Sequence, residues 1–238
     1  MRVVLSLGGS VLAPELDPER VAAYANAIER LVGEGCELGV VVGGGGVARD
    51  YIGAARELDA NEVQLDQLGI DVTRVNARLL ITALGSAVDP SPAHDYDEAA
   101  GAIRRGDVSV MGGVTPGQST DAVAAALGEY VDADLLVYAT SADGIYDADP
   151  NVDEAAEQFV EMTPEELVEV VVPMSRDAGA SAPVDLLAAK LIQRAGMRTV
   201  VLDGHDPTAV ENAVLRGEHT GTDVVPAGGE EPTYWAQR

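Results

Sequence analysis

Short apolar runs alternate along the chain with amphipathic stretches, and this alternation predicts strands followed by helices. Residues 3–7 (VVLSL) read as a first strand that runs straight into Gly8-Gly9. Asp17-Pro18 supplies a cap and a proline at the first helical position, which predicts a helix to about Val32 with Gly33 as its stop. A buried-type strand over 38–42 ends in four glycines, 43–46, and helices are expected over 47–58 and onward to about Leu84. Asp95 with Glu98 opens a helical segment to Arg105, a strand over 108–111 ends in Gly112-Gly113, and Thr120 is expected to cap an alanine-rich helix over 121–130. The most apolar strand, 135–140, leads into a turn-rich loop over 141–151. Thr163-Pro164-Glu165-Glu166 combines cap, proline and capping-box acid. Helix 185–195, strand 199–203, helix 207–216 and a last strand 223–225 follow, and the tail from Pro226 is expected to be loosely ordered. Strand and helix in this order predict an α/β protein with a mainly parallel sheet covered on both faces.

Composition narrows the function classes. The chain has 238 residues, 47% of them apolar, enough for a sizeable core. No apolar run reaches the roughly 20 residues of a membrane helix, and the first ten residues lack a signal peptide's long apolar region, so a cytoplasmic location is expected. Forty acids face fifteen bases, a net charge of −25, which disfavours nucleic-acid and anionic-membrane partners. Acids spread along the chain read as a solvated surface suited to high salt. Fourteen of the fifteen bases are arginine, so Lys190, the single lysine, is either a residue with a specific job or a survivor on a helix surface. The single Cys36 cannot form an internal disulfide and reads as a small apolar filler.

The chemistry is concentrated where strands end. Three strands stop in paired or longer glycines, at Gly8, Gly43 and Gly112. Glycine allows close backbone approach, and a helix starting just beyond points free N–H groups at a ligand, which suits phosphate. In open parallel sheets, ligands sit outside these strand ends. No Walker A sequence is present. GGGGVA at 43–48 fits the dinucleotide fingerprint GxGxxA, but it follows the second strand, and Glu62 and Asp66 lie in a helical stretch, so a dehydrogenase is the lesser reading. His94, His205 and His219 lack zinc spacing. Asp147, Asp149, Asn151 and Asp153 mimic a calcium loop but lack its glycine and closing glutamate. Arg49 stands one turn into the helix after Gly43–Gly46, where its fork can neutralise a phosphoryl group or simply serve the surface.

Together these residues resemble the amino-acid kinase family, and within it the archaeal uridylate kinases. The carrying motifs are GGSVL (8–12), GGGGVAR (43–49), DQLGIDVTRVNA (66–77), GGVTPGQSTDAVAA (112–125), ATSADGIYDADP (139–150) and APVDLLAAK (182–190). The resemblance implies a three-layer α/β/α sandwich around an eight-stranded, mostly parallel sheet. It implies one domain over 1–226, with an acceptor-binding part to about 130 and an ATP-binding part beyond, then a tail over 227–238. It further implies phosphoryl transfer from ATP, carried with Mg²⁺, to UMP, and a homohexamer.

Site roles follow from the same resemblance. Gly9, Ser10, Gly45 and Arg49 would contact ATP phosphates, and Thr140, Tyr146 and Asp149 the adenosine side. Gly44 would approach the UMP phosphate, and Asp66 would accept from the ribose hydroxyls or be a solvated helix acid. Val114, Thr115, Pro116, Gly117, Gln118, Ser119 and Thr120 would wrap the uridine, with Thr120 serving the base, the helix cap or both. Asp143 and Asp185 match acids near the phosphates or structural ones, and Lys190 matches a lysine that reaches the transferred group. Two departures stand out: Ser6 replaces a lysine common at the end of the first strand, and Val114-Thr115 replaces a common Thr-His. A same-fold kinase acting on isopentenyl phosphate or an acyl-amino acid, or a non-catalytic nucleotide- or oxyanion-binding protein, are the alternatives.

Overall fold

The computed structural model describes residues 1–85, 88–148, 150, 152–153, 155–174, 184–229 and 231–235. Its centre is a seven-stranded sheet in the order β3-β2-β1-β4-β6-β7-β5, where eight strands were expected from the resemblance. The strands are β1 (Arg2–Leu7), β2 (Glu37–Val42), β3 (Ser109–Met111), β4 (Leu135–Thr140), β5 (Glu161–Met162), β6 (Thr199–Asp203) and β7 (Thr222–Val224). All pairings are parallel except β6 with β7. The register sets Leu7 beside Val42 and beside Ala139, so the loops after β1, β2 and β4 leave from one edge.

Side chains alternate across the sheet. Val3, Leu5 and Leu7 face one apolar cluster, whereas Val4 faces the other. Helices α2 (Pro18–Gly33), α4 (Glu62–Ala83) and α9 (Pro207–Arg216) bury residues in the first cluster. Helices α5 (Tyr96–Arg104), α6 (Thr120–Tyr130), α7 (Pro164–Met174) and α8 (Leu186–Ala195) cover the second. Helix α3 (Gly45–Glu57) buries only Ala48 and lies against α4. Three layers result, as the resemblance implied.

Most boundaries follow from local chemistry. Asp17 caps α2, and Asn61 with Gln64 forms a reciprocal capping box at α4. Asp95 caps α5, but the Glu98 carboxylate accepts from His94 N–H, one residue before the cap. Thr163 and Glu166 close the predicted box at α7. Four details differ from expectation. Gly33 stays helical, and the chain reverses at Gly35 with φ +88°. Ser119, not Thr120, caps α6, accepting from Ala122 N–H at 3.0 Å. Three short elements were not anticipated: α1 (Gly9–Leu12), a 3₁₀ turn at Pro14–Leu16, and β5. The tail is not loose where described: Trp235 is buried, its indole donates to Val214 O at 3.1 Å, and Arg198 lies over its ring at 4.6 Å.

Candidate active site

The aligned strand ends open into a cleft of about 450 Å³, walled by the turns at Gly8–Ser10 and Gly43–Gly45, by Arg49, by Thr120-Asp121, and by the loop from Thr140 to Asp143. The two glycine turns touch. A Cβ on Gly9 would stand 2.6 Å from the Gly44 carbonyl carbon, and one on Gly45, which has φ +63°, would stand 2.6 Å from the Gly9 carbonyl carbon. Only glycine lets both backbones share this space. Neither α1 nor α3 carries a side-chain cap. Val11 N–H bonds back to Gly8 O at 2.9 Å, but no side chain takes the leading N–H groups of either helix, and such groups are set to receive an anion.

Helix α4 supports these turns from behind. The buried Asn76 amide donates to Gly43 O at 2.9 Å and Gly44 O at 3.2 Å. Thr73 accepts from Gly113 N–H at 2.7 Å while donating to Ile70 O, and Arg74 Nε donates to Gly113 O at 3.2 Å.

The loop over 114–120 is pinned on three sides. Asp66 accepts from Gly117 N–H at 2.8 Å, Gln118 Nε2 donates to the Tyr96 hydroxyl at 3.0 Å, and the Ser119 hydroxyl donates to Asp185. Asp185 also caps α8 through Ala188 N–H at 2.9 Å. The loop thus joins α4 and α5 to the start of α8.

The cleft is charged unevenly. Arg49 is its only cation among the described lining residues. Asp121 also lines it, with Ser6 donating to it at 3.4 Å. Burial first, and then the nearby Asp185 charge, push the Asp121 carboxyl up to about 7, against the lowering effect of Ser6. Beside the cleft-lining Asp143, the Tyr146 hydroxyl donates to it at 2.9 Å, and that bond holds the phenol above its usual value. Thr140 and Ala142 fold the loop start through Thr140 Oγ1, which accepts from Ala142 N–H at 2.9 Å.

A sequence description of the Amino acid kinase family matches residues 1–203. The chain belongs to that family. It is 74% identical to the uridylate kinase of Halorubrum lacusprofundi, over 99% of this chain and 98% of that one. The uridylate kinase of Haloquadratum walsbyi is 69% identical, over 97% and 96% respectively. The crystal structure of uridylate kinase from Archaeoglobus fulgidus superposes with a TM-score of 0.84 at 42% identity, covering 94% of this chain and 100% of that one.

Within this amino acid kinase, the structure gathers most residues singled out from the sequence. Gly9, Ser10, Gly44, Gly45, Arg49, Thr120, Thr140 and Asp143 line the cleft, while Gly117, Gln118 and Ser119 belong to the pinned loop that Asp66 and Asp185 hold. Val114, Thr115 and Pro116 open that loop, and Tyr146 meets the cleft through Asp143. Asp149 lies outside the described residues, as do Asn151 and the start of the 182–190 motif. Lys190 is not on this cleft wall: it is exposed on α8 and donates to Gln193 at 3.2 Å. Cys36 is buried, which pushes its thiol up to about 11 and leaves it a weak nucleophile. Sequence reasoning missed Asp121, Thr73, Arg74, Asn76 and Tyr96. The signal available was polar residues at helical spacing (Asp66, Thr73, Asn76) along an otherwise apolar face of α4.

Proposed function

We propose that this chain transfers the γ-phosphoryl group of ATP to UMP, giving ADP and UDP. The observation that carries the reading is the convergence, in one cleft, of two uncapped helix starts and Arg49, faced by a pinned loop of small polar residues. Its near-full-length identity to uridylate kinases supports UMP as the acceptor. Phosphoryl transfer needs little covalent help, so positioning and charge neutralisation carry the catalysis. Backbone N–H groups of Gly9, Ser10, Gly44 and Gly45 hold phosphate oxygens, and Arg49 meets the charge that spreads over the transferred group. Asp66 and the 114–120 loop orient the ribose and base. Small polar side chains there suit a nucleobase, whereas an isoprenoid would want an apolar wall.

Among the described residues, no group of three or more His, Cys, Asp or Glu forms a metal cage. Mg²⁺ arriving on ATP needs only one or two carboxylates beside phosphates and waters, and Asp121, with no cation paired to it among the described residues, fits that need. When bound, the ion neutralises phosphate charge. On the same reading, the product feeds pyrimidine nucleotide synthesis in the cytoplasm, and the working form is a homohexamer.

The test is ADP release in high salt with UMP, CMP, isopentenyl phosphate and N-acetylglutamate as parallel acceptors. UMP is expected to give the fastest turnover, and Arg49→Ala to lower kcat about 100-fold or more, the scale of losing a principal charge-stabilising donor. Turnover with UMP no faster than the acceptor-free blank would refute the reading.

A further inference from the structure

We propose that Asn76 is a positioning residue that sets the direction of the Gly44 and Gly45 peptide N–H groups and so builds the phosphate-binding turn. The inference rests on the phosphoryl-transfer reading of the cleft but names a residue that lies behind it.

Asn76 stands on α4, is only 3% exposed, and is packed among Thr73, Ala77 and Leu80 on the helix's buried face. Its amide nitrogen reaches two carbonyls at once, Gly43 O at 2.9 Å and Gly44 O at 3.2 Å. Both partners are acceptors only, so the nitrogen rather than the oxygen of the side chain must face them, and both of its hydrogens are used. A trans peptide is planar, with its C=O and the following N–H pointing in opposite directions. Drawing Gly43 O and Gly44 O towards α4 therefore turns Gly44 N–H and Gly45 N–H the other way, and Gly44 and Gly45 line the cleft.

Among the described residues, the other hydrogen bond to these carbonyls is longer. The segment carries no side-chain cap, Gly45 sits at φ +63°, and the one helical bond to Gly44 O, from Ala48 N–H, is 3.3 Å long. Adjacent glycines have many accessible conformations, so a buried two-hydrogen clamp is what selects one of them. An asparagine suits this: its short side chain brings both donors to neighbouring carbonyls. A carboxylate in its place would repel them while ionised, yet would regain one donor when protonated.

That difference gives the test, made on the full chain in concentrated KCl with ATP and UMP. Asn76→Asp is expected to lower kcat/KM about 100-fold at pH 8, the scale of losing a preorganised donor. The ratio of variant to wild type should then climb at least about tenfold towards pH 5.5 as the new carboxyl protonates and donates. A loss under threefold at pH 8, or a loss that does not change with pH, would overturn the proposal, because a merely structural asparagine predicts no such recovery. Should Asn76→Asp not fold, Asn76→Ser keeps one neutral donor and is expected to fall between wild type and Asn76→Ala; activity equal to either would overturn it. If the wild-type chain transfers nothing to UMP, the function reading fails and the amide NMR signals of Gly44 and Gly45 decide the clamp separately. On adding ATP they should shift in wild type and not in Asn76→Ala; equal shifts in both would reject it.

Discussion

Asp121 has Ser6 at 3.4 Å on one oxygen and the Asp185 carboxylate nearby. With burial as the main cause, its carboxyl is raised from the ordinary 3.8 to about 7. Between those values the unfolded chain has released the proton and the folded chain still holds it, so stability falls as pH rises through that window. Above about pH 7 the folded state carries a buried charge. Asp121→Asn is therefore expected to raise the Tm of the ligand-free protein at pH 8 and to change it little below pH 4, while reducing turnover; melts at fixed salt across pH 4–8 check this. Equal gains at both ends would sink the argument. In the sequence Asp121 was only the first residue of an alanine-rich helix, because its role depends on Ser6 and Asp185, 115 and 64 positions away. Arg49 was legible for the opposite reason: its glycines and its helix start are adjacent to it in the chain.

Helix α4 is the element that organises the glycine turns and the 114–120 loop. Asp66, Thr73 and Asn76 recur at helical spacing and the long Arg74 side chain reaches in beside them; together they bind Gly117, Gly113, Gly43 and Gly44, so one rigid helix sets two turns and a loop. Helix α5 adds the third support through Tyr96 and Gln118. Tyr96→Phe keeps the ring stacked near Tyr130, 6.2 Å away, and deletes only the hydroxyl. At about 1 kcal/mol for one such bond, KM for UMP should rise about fivefold, with KM for ATP changed less than about twofold. Steady-state kinetics decide it, and an equal rise for both substrates would mean that the contact does not serve UMP through the 114–120 loop. Element positions were readable wherever a cap, a proline or an apolar period spoke locally, as at Asp17, Thr163 and 199–203. The cap at Ser119 was placed one residue late because Thr120 has the same chemistry. Helix α1 and strand β5 have four and two residues, too few to show a period. The spacing of Asp66, Thr73 and Asn76 marks a polar stripe on α4 but not its partners, and the contact between Tyr96 and Gln118 has no local signature at all.

At the scale of the whole molecule, a sheet buried on both faces meets a surface of one dominant sign. The two apolar clusters and the docked Trp235 give the fold its cohesion. Against them stand forty acids and fifteen bases, a net −25. Ion pairs such as Arg2–Glu37 and Arg194–Glu129 occupy some of the arginines, but most acids have no base available to them. Exposed pairs of this kind contribute at most about 1 kcal/mol each, so they do not offset the repulsion. Screening does: the Debye length shrinks from about 10 Å at 0.1 M salt to about 3 Å at 1 M. Relief of self-repulsion worth about 3–5 kcal/mol would move Tm by roughly 10 °C for a chain of this size, at the usual 2–4 °C per kcal/mol. Thermal melts from 0.1 to 2 M KCl should therefore show Tm climbing by about that amount, most steeply below 1 M where the screening length changes fastest. Sucrose at matched osmolality excludes itself from the surface without screening charge, and it should reproduce only a small part of the rise. A flat Tm in KCl, or an equal rise in sucrose, would show that repulsion among the acids is not what limits this fold at low salt.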